Sequence, residues 1–480
     1  MKKIFITLSV IGIAQLSLAQ QGFTPQYVED LYQYNNNGTL SGTARYKGLS
    51  GAMGALGGDL SATIKNPASG AVFLLSEGVL TGGLHSSKTE VAGGNNYSDS
   101  EFKLDQVGAV LVFDDLSNNG WRNFSVSLNY EEKDHVNERI DFNPNIKSTN
   151  SDRSVERVIA EKIGESSLTN LTFSANYNDK VYVGGGVNFH SFNTESIEGL
   201  NVNELAYGNT YSYSKDYSPN AKSGEGVSVA LGVIGRVTQQ LRLGASYQSP
   251  TWYKDVDEVL VEYAIHKDKD NIGDYYYTKG DYVNFINDMN SGQKFTGSAA
   301  FVIGTSGLIS ADYTYTDYST AKFQPETAFA GENTFIDNYM KGTSAVSIGA
   351  EAVLQDFRLR GGFRYEQSPF EEIMIDNIKE SYQPFGDLTG FSLGAGYEKN
   401  GFFVDASYDM FKRDKNYLLS GNYYDTKSTV PYDDAYSLDE NNDMALDALS
   451  FKAEEVGFAS SLKNITEKQG NFSLSVGFRF

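Results

Sequence analysis

Segments of strict apolar–polar alternation recur along this chain, and the connections between them are alternately short and long. A period of two places successive side chains on opposite faces of an extended strand. Turns such as 178–179 and 399–400 are short, whereas polar stretches such as 136–166 and 253–293 are long. Transmembrane barrels have short turns at one rim, long loops at the other and an even number of strands. The pattern therefore predicts an all-β chain that forms a transmembrane antiparallel β-barrel of about fourteen strands. The alternating segments occupy residues 78–90, 102–114, 121–135, 167–179, 180–193, 225–236, 240–252, 294–304, 307–322, 343–354, 357–368, 389–399, 401–413 and 470–480.

The last ten residues form the clearest of these segments. Every second residue from Phe472 to the terminal Phe480 is apolar, and Ser, Gly or Arg stands between them. Apolar side chains on one face suit lipid, and small polar ones on the other suit a lumen. The 32 Tyr, 29 Phe and 48 Gly of the chain suit strands, tight turns and aromatic membrane girdles. A soluble β-sandwich or propeller shares that composition, so the order of the connections decides the fold class.

The N-terminus carries an export signal. Lys2 and Lys3 precede an apolar run over 4–19, which ends in the small-residue cleavage pattern Ser17-Leu18-Ala19. Sixteen residues are short for a membrane anchor, which is the alternative interpretation. We expect residues 1–19 to be a cleaved signal peptide and the mature protein to be located in the cell outer membrane.

Composition excludes several kinds of chemistry. The chain has no Cys, which removes thiolate catalysis and cysteine-ligated metal sites. The formal net charge is −22, and phosphate binding needs clustered Lys and Arg, so we expect no nucleic-acid partner.

Two weak motifs do not indicate an active or metal site. His85 and Ser86 are adjacent on a predicted strand, and adjacent side chains face opposite sides, so they cannot act as a base and nucleophile pair. Asp439, Asn441 and Asp443 have the spacing of a calcium loop, but the Gly and the closing Glu of that motif are missing. We expect no enzyme activity, no catalytic residue, no cofactor and no metal site.

Residues 20–77 do not alternate. A short amphipathic helix is predicted from Pro25 to Tyr34, and residues 48–59 are dense in Gly and Ala. Small side chains allow close backbone approach, as expected of a segment threaded inside a barrel. We therefore predict that residues 20–77 form a hatch, or plug, in the lumen of a barrel formed by residues 78–480 with long extracellular loops. The run 184–186 of three Gly inside a strand segment predicts a bend or close packing.

In this segment the chain resembles the FadL/TodX-like family of outer-membrane transporters of long-chain fatty acids and aromatic hydrocarbons. The similarity begins with the string from Ala44 to Ala52, Gly58-Asp59 and Asn66-Pro67-Ala68. Further similar strings follow in the same order along the chain: Leu243 to Ser249, Ser310 to Tyr313, Asp317 to Ser319, Gly349 to Glu351, Leu359 to Gly362 and Leu393 to Tyr397.

The resemblance implies a fourteen-stranded barrel with an N-terminal hatch. It also implies that a hydrophobic substrate is captured outside, enters the barrel and leaves sideways through a gap at a kinked third strand, here near 121–135. Only Asn66, Pro67 and Ala68 match the family as hatch or gating residues. The alternative is that this Pro-containing turn only places the plug.

Two classes of function follow. The first is passive transport of a hydrophobic small molecule through a plugged barrel with lateral exit. The second is a barrel that serves as a scaffold or docking protein for secreted or surface proteins, because the loop 414–469 is long, acidic and aromatic. An aqueous porin is a third interpretation, disfavoured by the plug. The expected partners are a hydrophobic ligand, outer-membrane lipid and, at the extracellular loops, a protein; we expect a monomer.

Overall fold

The computed structural model describes most of the chain after residue 24. The predicted signal peptide at 1–19 and the calcium-like spacing at 439–443 lie outside the described residues, as do parts of the loop 414–469. The described ranges are 25–36, 38–115, 119–144, 146–147, 153–206, 209–215, 220–267, 275–374, 381–419, 422–428, 436–438, 444–446, 451–457 and 461–480.

Within these ranges, fourteen antiparallel strands form a closed barrel. Each strand pairs with the next, and the first pairs with the last from Glu77↔Arg479 to Val91↔Ile465. This confirms the predicted fold class and strand number. The barrel strands are β1 (Glu77–Val91), β2 (Tyr97–Asp114), β3 (Trp121–Phe142), β4 (Arg153–Tyr177), β5 (Val181–Ala206), β6 (Asn220–Arg236), β7 (Leu241–Gln248), β8 (Gln293–Ile303), β9 (Gly307–Asp317), β10 (Thr343–Leu354), β11 (Phe357–Glu366), β12 (Leu388–Lys399), β13 (Phe402–Leu419) and β14 (Ser461–Arg479).

The strands extend farther at one end than their alternation predicts. The end with turns such as 178–180 and 399–401 is called the turn rim, and the opposite end is the loop rim. The stretches 136–166 and 194–224, predicted as loops, are largely extended and continue β3 to β6 beyond the loop rim. In these stretches apolar residues such as Val158, Ile159 and Ile163 are mixed with charged residues on both faces, so the sequence lacks the alternation that marks a lipid-facing strand. Further strands, which are not among the fourteen of the barrel, lie at the loop rim. They are Ile146–Lys147, Asn209–Lys215, Trp252–Lys267, Tyr275–Asn290, Lys322–Gln324, Ile373–Met374, Ser381–Tyr382, Asn422–Ser428, Tyr436–Leu438, Met444–Leu446 and Phe451–Gly457.

The two faces of the wall differ as predicted. On β14, Ser473 and Ser475 point inward and are fully buried, whereas Phe472, Leu474 and Val476 point outward and are 41–49% exposed. Large apolar side chains on the outer surface suit contact with lipid. None of the helices in the described part of the chain is long and apolar enough to cross a membrane.

The segment before β1 lies inside the barrel, where its residues contact inward-facing side chains around the wall. Its first helix coincides with the one predicted from Pro25. The helices are α1 (Pro25–Asn36), α2 (Ala44–Gly48), α3 (Leu60–Lys65) and a 3-10 helix (Pro67–Val72), and the later loops add α4 (Ala330–Tyr339) and a 3-10 turn (Tyr318–Thr320).

Candidate functional site

The luminal segment is attached to the wall by charged side chains that are largely buried. Three ion pairs join it to the wall: Lys47–Asp105 on β2 at 2.6 Å, Lys65–Asp312 on β9 at 2.8 Å and Arg45–Glu351 on β10 at 3.5 Å. Because these strands lie on opposite parts of the wall, the ion pairs hold the segment across the lumen.

The turn Asn66-Pro67-Ala68 joins α3 to the 3-10 helix. The Asn66 side-chain amide donates to the Gly54 carbonyl at 2.7 Å, and its oxygen accepts from the Ala68 N–H at 3.1 Å. Asn66 thus caps the 3-10 helix, and Pro67 occupies the first position, where its missing N–H costs nothing. Asn66 and Ala68 are at most 1% exposed, so the turn is part of the packed interior.

Inward-facing glycines of three adjacent strands receive this turn. A Cβ added to Gly184 of β5 would lie 2.4 Å from the Pro67 carbonyl carbon, and one added to Gly232 of β6 would lie 1.9 Å from Asn66 Oδ1. A Cβ on Gly244 of β7 would lie 2.7 Å from the Gly54 carbonyl oxygen. The close packing predicted for the run 184–186 is therefore confirmed at Gly184.

Nearer the loop rim, α1 packs into a group of buried apolar side chains that we call the aromatic cluster. Tyr32 contacts Tyr318 edge-on at 5.7 Å between ring centroids and Phe385 at 5.0 Å, and Tyr34 stacks on Phe192 at 4.1 Å. All members are at most 8% exposed. They are Val28, Leu31, Tyr32, Tyr34, Phe192, Tyr253, Val256, Met289, Tyr318, Ala321, Phe323, Phe335, Ile336, Met340, Phe370, Ile373, Tyr382 and Phe385.

Charged groups of α1 fix it to the wall. Asp30 accepts from Lys222 of β6 at 2.7 Å and also from Lys162 of β4. Burial alone would raise the pKa of Asp30, but the two lysines outweigh burial and the pKa is lowered. For the neighbouring Glu29, burial raises the pKa and a hydrogen bond from Tyr382 only partly offsets this rise.

Replacing Asp30 with Asn should release α1. Lys162 would lose Asp30 as its partner, and Lys222 would keep Glu258 at 3.4 Å. Removing one partner of a buried ion pair costs up to about 3–5 kcal/mol. Because the folded pKa is lowered, the stabilisation by Asp30 is present above its unfolded pKa of about 3.9 and is lost as the pH falls through the lowered folded value. Hydrogen exchange at neutral pH should therefore accelerate across 25–36 in Asp30→Asn, and in the wild type only at strongly acid pH. The exposed Asp356→Asn is the control, and equal exchange in both variants would contradict the anchoring role.

A polar cavity separates the aromatic cluster from the turn at Asn66. Two adjoining spaces of about 190 and 80 Å³ share Lys133 of β3 and Lys294 of β8, and the smaller one is also lined by His190 of β5. Glu131 and Glu366 line the larger space. The cavity is therefore lined by positively and negatively charged side chains and by many hydroxyl groups, and it lies next to the aromatic cluster.

Lys133 reaches this cavity because it lies at a β-bulge. Glu132 pairs with Ser167 and Asp134 with Ser166, so Lys133 has no opposite residue in the ladder. A bulge bends its strand and re-aims a side chain. The sequence analysis missed this residue, because nothing in the local pattern distinguishes it from other polar residues near the loop rim.

The bulge adjoins an opening in the wall between β2 and β3. Their pairing begins at Asp114↔Asn123 and stops at Gln106↔Glu131. Beyond this point residues 97–104 of β2 pair with β1 and not with β3. The chain just before β2 meets β3 again at the bridge Asn95↔Asp141. We call this opening the window.

Side chains cross the window where the strands do not pair. Lys103 Nζ lies 2.8 Å from Glu132 Oε1, and the Asn137 amide donates to Asp99 Oδ2 at 2.7 Å. Phe102, beside Lys103, points outward and is 77% exposed. The window therefore lies between Glu131, which lines the polar cavity, and Phe102 on the outer surface, and these side-chain contacts close it.

His85 and Ser86 face opposite sides of β1, as predicted. His85 Nε2 lies 2.5 Å from Asp105 Oδ1 in the lumen, whereas Ser86 faces outward, where its Oγ accepts from Ser100. The two side chains are therefore not placed to act together on a substrate.

Comparison with known proteins gives the family. Residues 33–454 match the family described as outer membrane protein transport protein (OMPP1/FadL/TodX). The fold is similar to that of a Pseudomonas aeruginosa FadL homologue, with a TM-score of 0.56 and 16% identity over 92% of this chain and 99% of that one. It is also similar to the Pseudomonas putida toluene transporter TodX, with a TM-score of 0.53 and 14% identity over 92% and 99% of the two chains. No curated protein matches the chain. The family match covers most of the sequence, and the chain belongs to the OMPP1/FadL/TodX family of outer membrane transport proteins.

Proposed function

We propose that this protein carries hydrophobic small molecules passively across the outer membrane. In this proposal the molecule enters from outside through the aromatic cluster, passes into the polar cavity and leaves sideways through the window. The observation that supports the proposal is the window itself, because the β2–β3 pairing stops at Gln106↔Glu131 and Glu131 lines the internal cavity. An apolar solute gains free energy by entering hydrocarbon rather than periplasmic water, which favours a sideways exit.

The aromatic cluster supplies the entry. Ligand pockets are mostly apolar, with a few polar groups that orient the ligand. Because the cluster is closed, a ligand must displace some of its side chains, and α1 carries four of them, Val28, Leu31, Tyr32 and Tyr34. The cluster would take up an alkyl chain or an aromatic ring at this step.

The cavity below it favours an amphiphile over a plain hydrocarbon. Lys133 lines the cavity and could donate to an acidic head group, which a plain hydrocarbon lacks. Long-chain fatty acids therefore fit the luminal path better than toluene-like compounds. A charge-assisted hydrogen bond from Lys133 would hold the head group beside the window.

In this proposal the luminal segment 20–77 is the hatch, and Asn66, Pro67 and Ala68 keep it seated. The close packing of the turn against glycines of the wall supports a hatch that closes the route to the periplasm. A gating role would require the turn to move during transport, and its buried hydrogen bonds favour the structural role.

Uptake by whole cells tests the proposal. We expect that deletion of the gene lowers uptake of radiolabelled palmitate and that the wild-type gene restores it, while uptake of a hydrophilic sugar stays unchanged. Lys133→Leu should lower uptake of palmitate more than that of toluene, with the exposed Lys322→Leu as control. Unchanged uptake of every hydrophobic compound after deletion would overturn the transport function.

The docking alternative stays a prediction, because most side chains of the loop 414–469 on which it depends lie outside the described residues. Co-purification of a stoichiometric protein that is lost when this loop is shortened would favour it.

A further inference from the structure

Three lysines form a row across the outside of the barrel. Lys88 of β1 is the register partner of Lys468 of β14, and Lys468 is the register partner of Lys412 of β13. Their side chains point outward and are 48%, 43% and 52% exposed. Adjacent strands lie about 4.8 Å apart, so the three ammonium groups span about 10 Å. We call this set the lysine row.

The lysine row lies just beyond an apolar surface. Four residues closer to the turn rim, the same three strands present Leu84, Phe472 and Tyr408, which are 48–49% exposed. Four residues of strand correspond to about 14 Å along the strand, and less along the membrane normal because barrel strands are tilted. The lysines therefore lie where the hydrocarbon ends on the extracellular side.

The arrangement is costly for the protein alone. Like charges directly opposite each other in an antiparallel pair are destabilising, and the lysine row contains two such pairs in succession. Glu90 lies 2.7 Å from both Lys88 and Lys468, and Asp414 lies 3.2 Å from Lys412. Two carboxylates face three ammonium groups, so one positive charge is left over on the surface of an acidic protein.

We propose that the lysine row binds the phosphate head group of an outer-leaflet lipid whose acyl chains lie along the apolar surface below. A phosphate supplies the missing negative charge and can accept from all three ammonium groups. The adjoining apolar side chains match the other half of such a molecule, so the site fits an intact lipid rather than a free anion. The site lies on the outside of the barrel and is separate from the transport path in the lumen.

Native mass spectrometry of the purified full chain tests the site. The probes are monophosphoryl lipid A and the same lipid after removal of its phosphate. We expect the phosphorylated lipid to be retained preferentially, and this preference to disappear in the triple variant Lys88→Gln, Lys412→Gln, Lys468→Gln. The matched control is Lys254→Gln, Lys322→Gln, Lys399→Gln, whose lysines are also exposed and each have one carboxylate within 4 Å.

Two further variants separate lipid binding from a role in folding. Lys468→Gln alone removes the central charge and relieves both repulsive pairs, so it should keep the barrel folded and still lower retention. Glu90→Gln should raise retention of the phosphorylated lipid, because it removes a carboxylate that competes with phosphate, while lowering thermal stability without lipid. Equal retention of the two lipids, unchanged retention in the triple variant, or displacement by millimolar inorganic phosphate would each overturn the proposal.

Discussion

A covalent tether across the window should abolish uptake of hydrophobic substrates and leave the barrel folded. The chain contains no Cys, so a pair introduced at Lys103 and Glu132 would be the only thiols present. These side chains already meet across the gap at 2.8 Å. A short bifunctional thiol reagent would replace a reversible ion pair with a bond, and a molecule in the cavity could no longer separate the two edges. We expect palmitate uptake to fall to the level of the deletion strain.

The tether experiment has two controls: reversal of the cross-link and a second pair of cysteines placed where the strands pair. If the reagent contains a disulfide, reduction should restore uptake in the same cells. The pair Asn416 and Asn464 joins β13 and β14 where those strands are register partners, so tethering its cysteines should have no effect. Full uptake by tethered cells that depend on this protein would exclude the window as the exit while leaving transport itself in place.

Much of the barrel could be predicted from sequence because lipid imposes a local rule. A strand that faces hydrocarbon must alternate, and the predicted segments such as 121–135 and 225–236 lie within strands of the structure. The rule ends where the lipid ends. β4 and β5 are 25 and 26 residues long in all, and their distal halves, which pair with each other beyond the loop rim, mix apolar and charged residues on both faces.

The site was less predictable because it depends on which strands fail to pair. Gln106 and Glu131 end the backbone pairing between β2 and β3, and no residue in either strand marks this point. The bulge at Lys133 likewise depends on the register against β4. Which residues of two neighbouring strands pair is decided by the closed sheet as a whole. A window and a bulge therefore cannot be deduced from the alternation within one strand.

The strings that carry the family resemblance mark where the luminal segment touches the wall. A Cβ added to Gly349 would lie 2.7 Å from the Leu49 carbonyl oxygen, and one added to Gly362 would lie 2.7 Å from the Leu49 carbonyl carbon. Gly394 approaches Gly48 in the same way, at 3.2 Å. Glycines of these strings therefore lie where the wall and the luminal segment come closest, because a side chain there would collide with the segment.

The requirement for glycine can be tested within the run 184–186. Gly184→Val should displace the turn at Asn66, because its Cβ would lie 2.4 Å from the Pro67 carbonyl carbon and 2.7 Å from the Ala68 nitrogen, and both are backbone atoms. Overpacking of this kind typically costs about 1–3 kcal/mol. The displaced luminal segment should open a route for water, so we expect larger single-channel conductance in planar bilayers and faster uptake of a small hydrophilic dye.

The neighbouring Gly185 supplies the matched control for this substitution. It faces lipid, and a Cβ there meets only the Leu231 side chain at 3.4 Å, so Gly185→Val makes the same change on the opposite side of one strand. We expect its conductance and dye uptake to equal those of the wild type. If both variants conduct alike, the turn at Asn66 does not close the lumen. If only Gly184→Val leaks and palmitate uptake is unchanged, the luminal segment is a seal against the periplasm and the substrate does not pass beneath it.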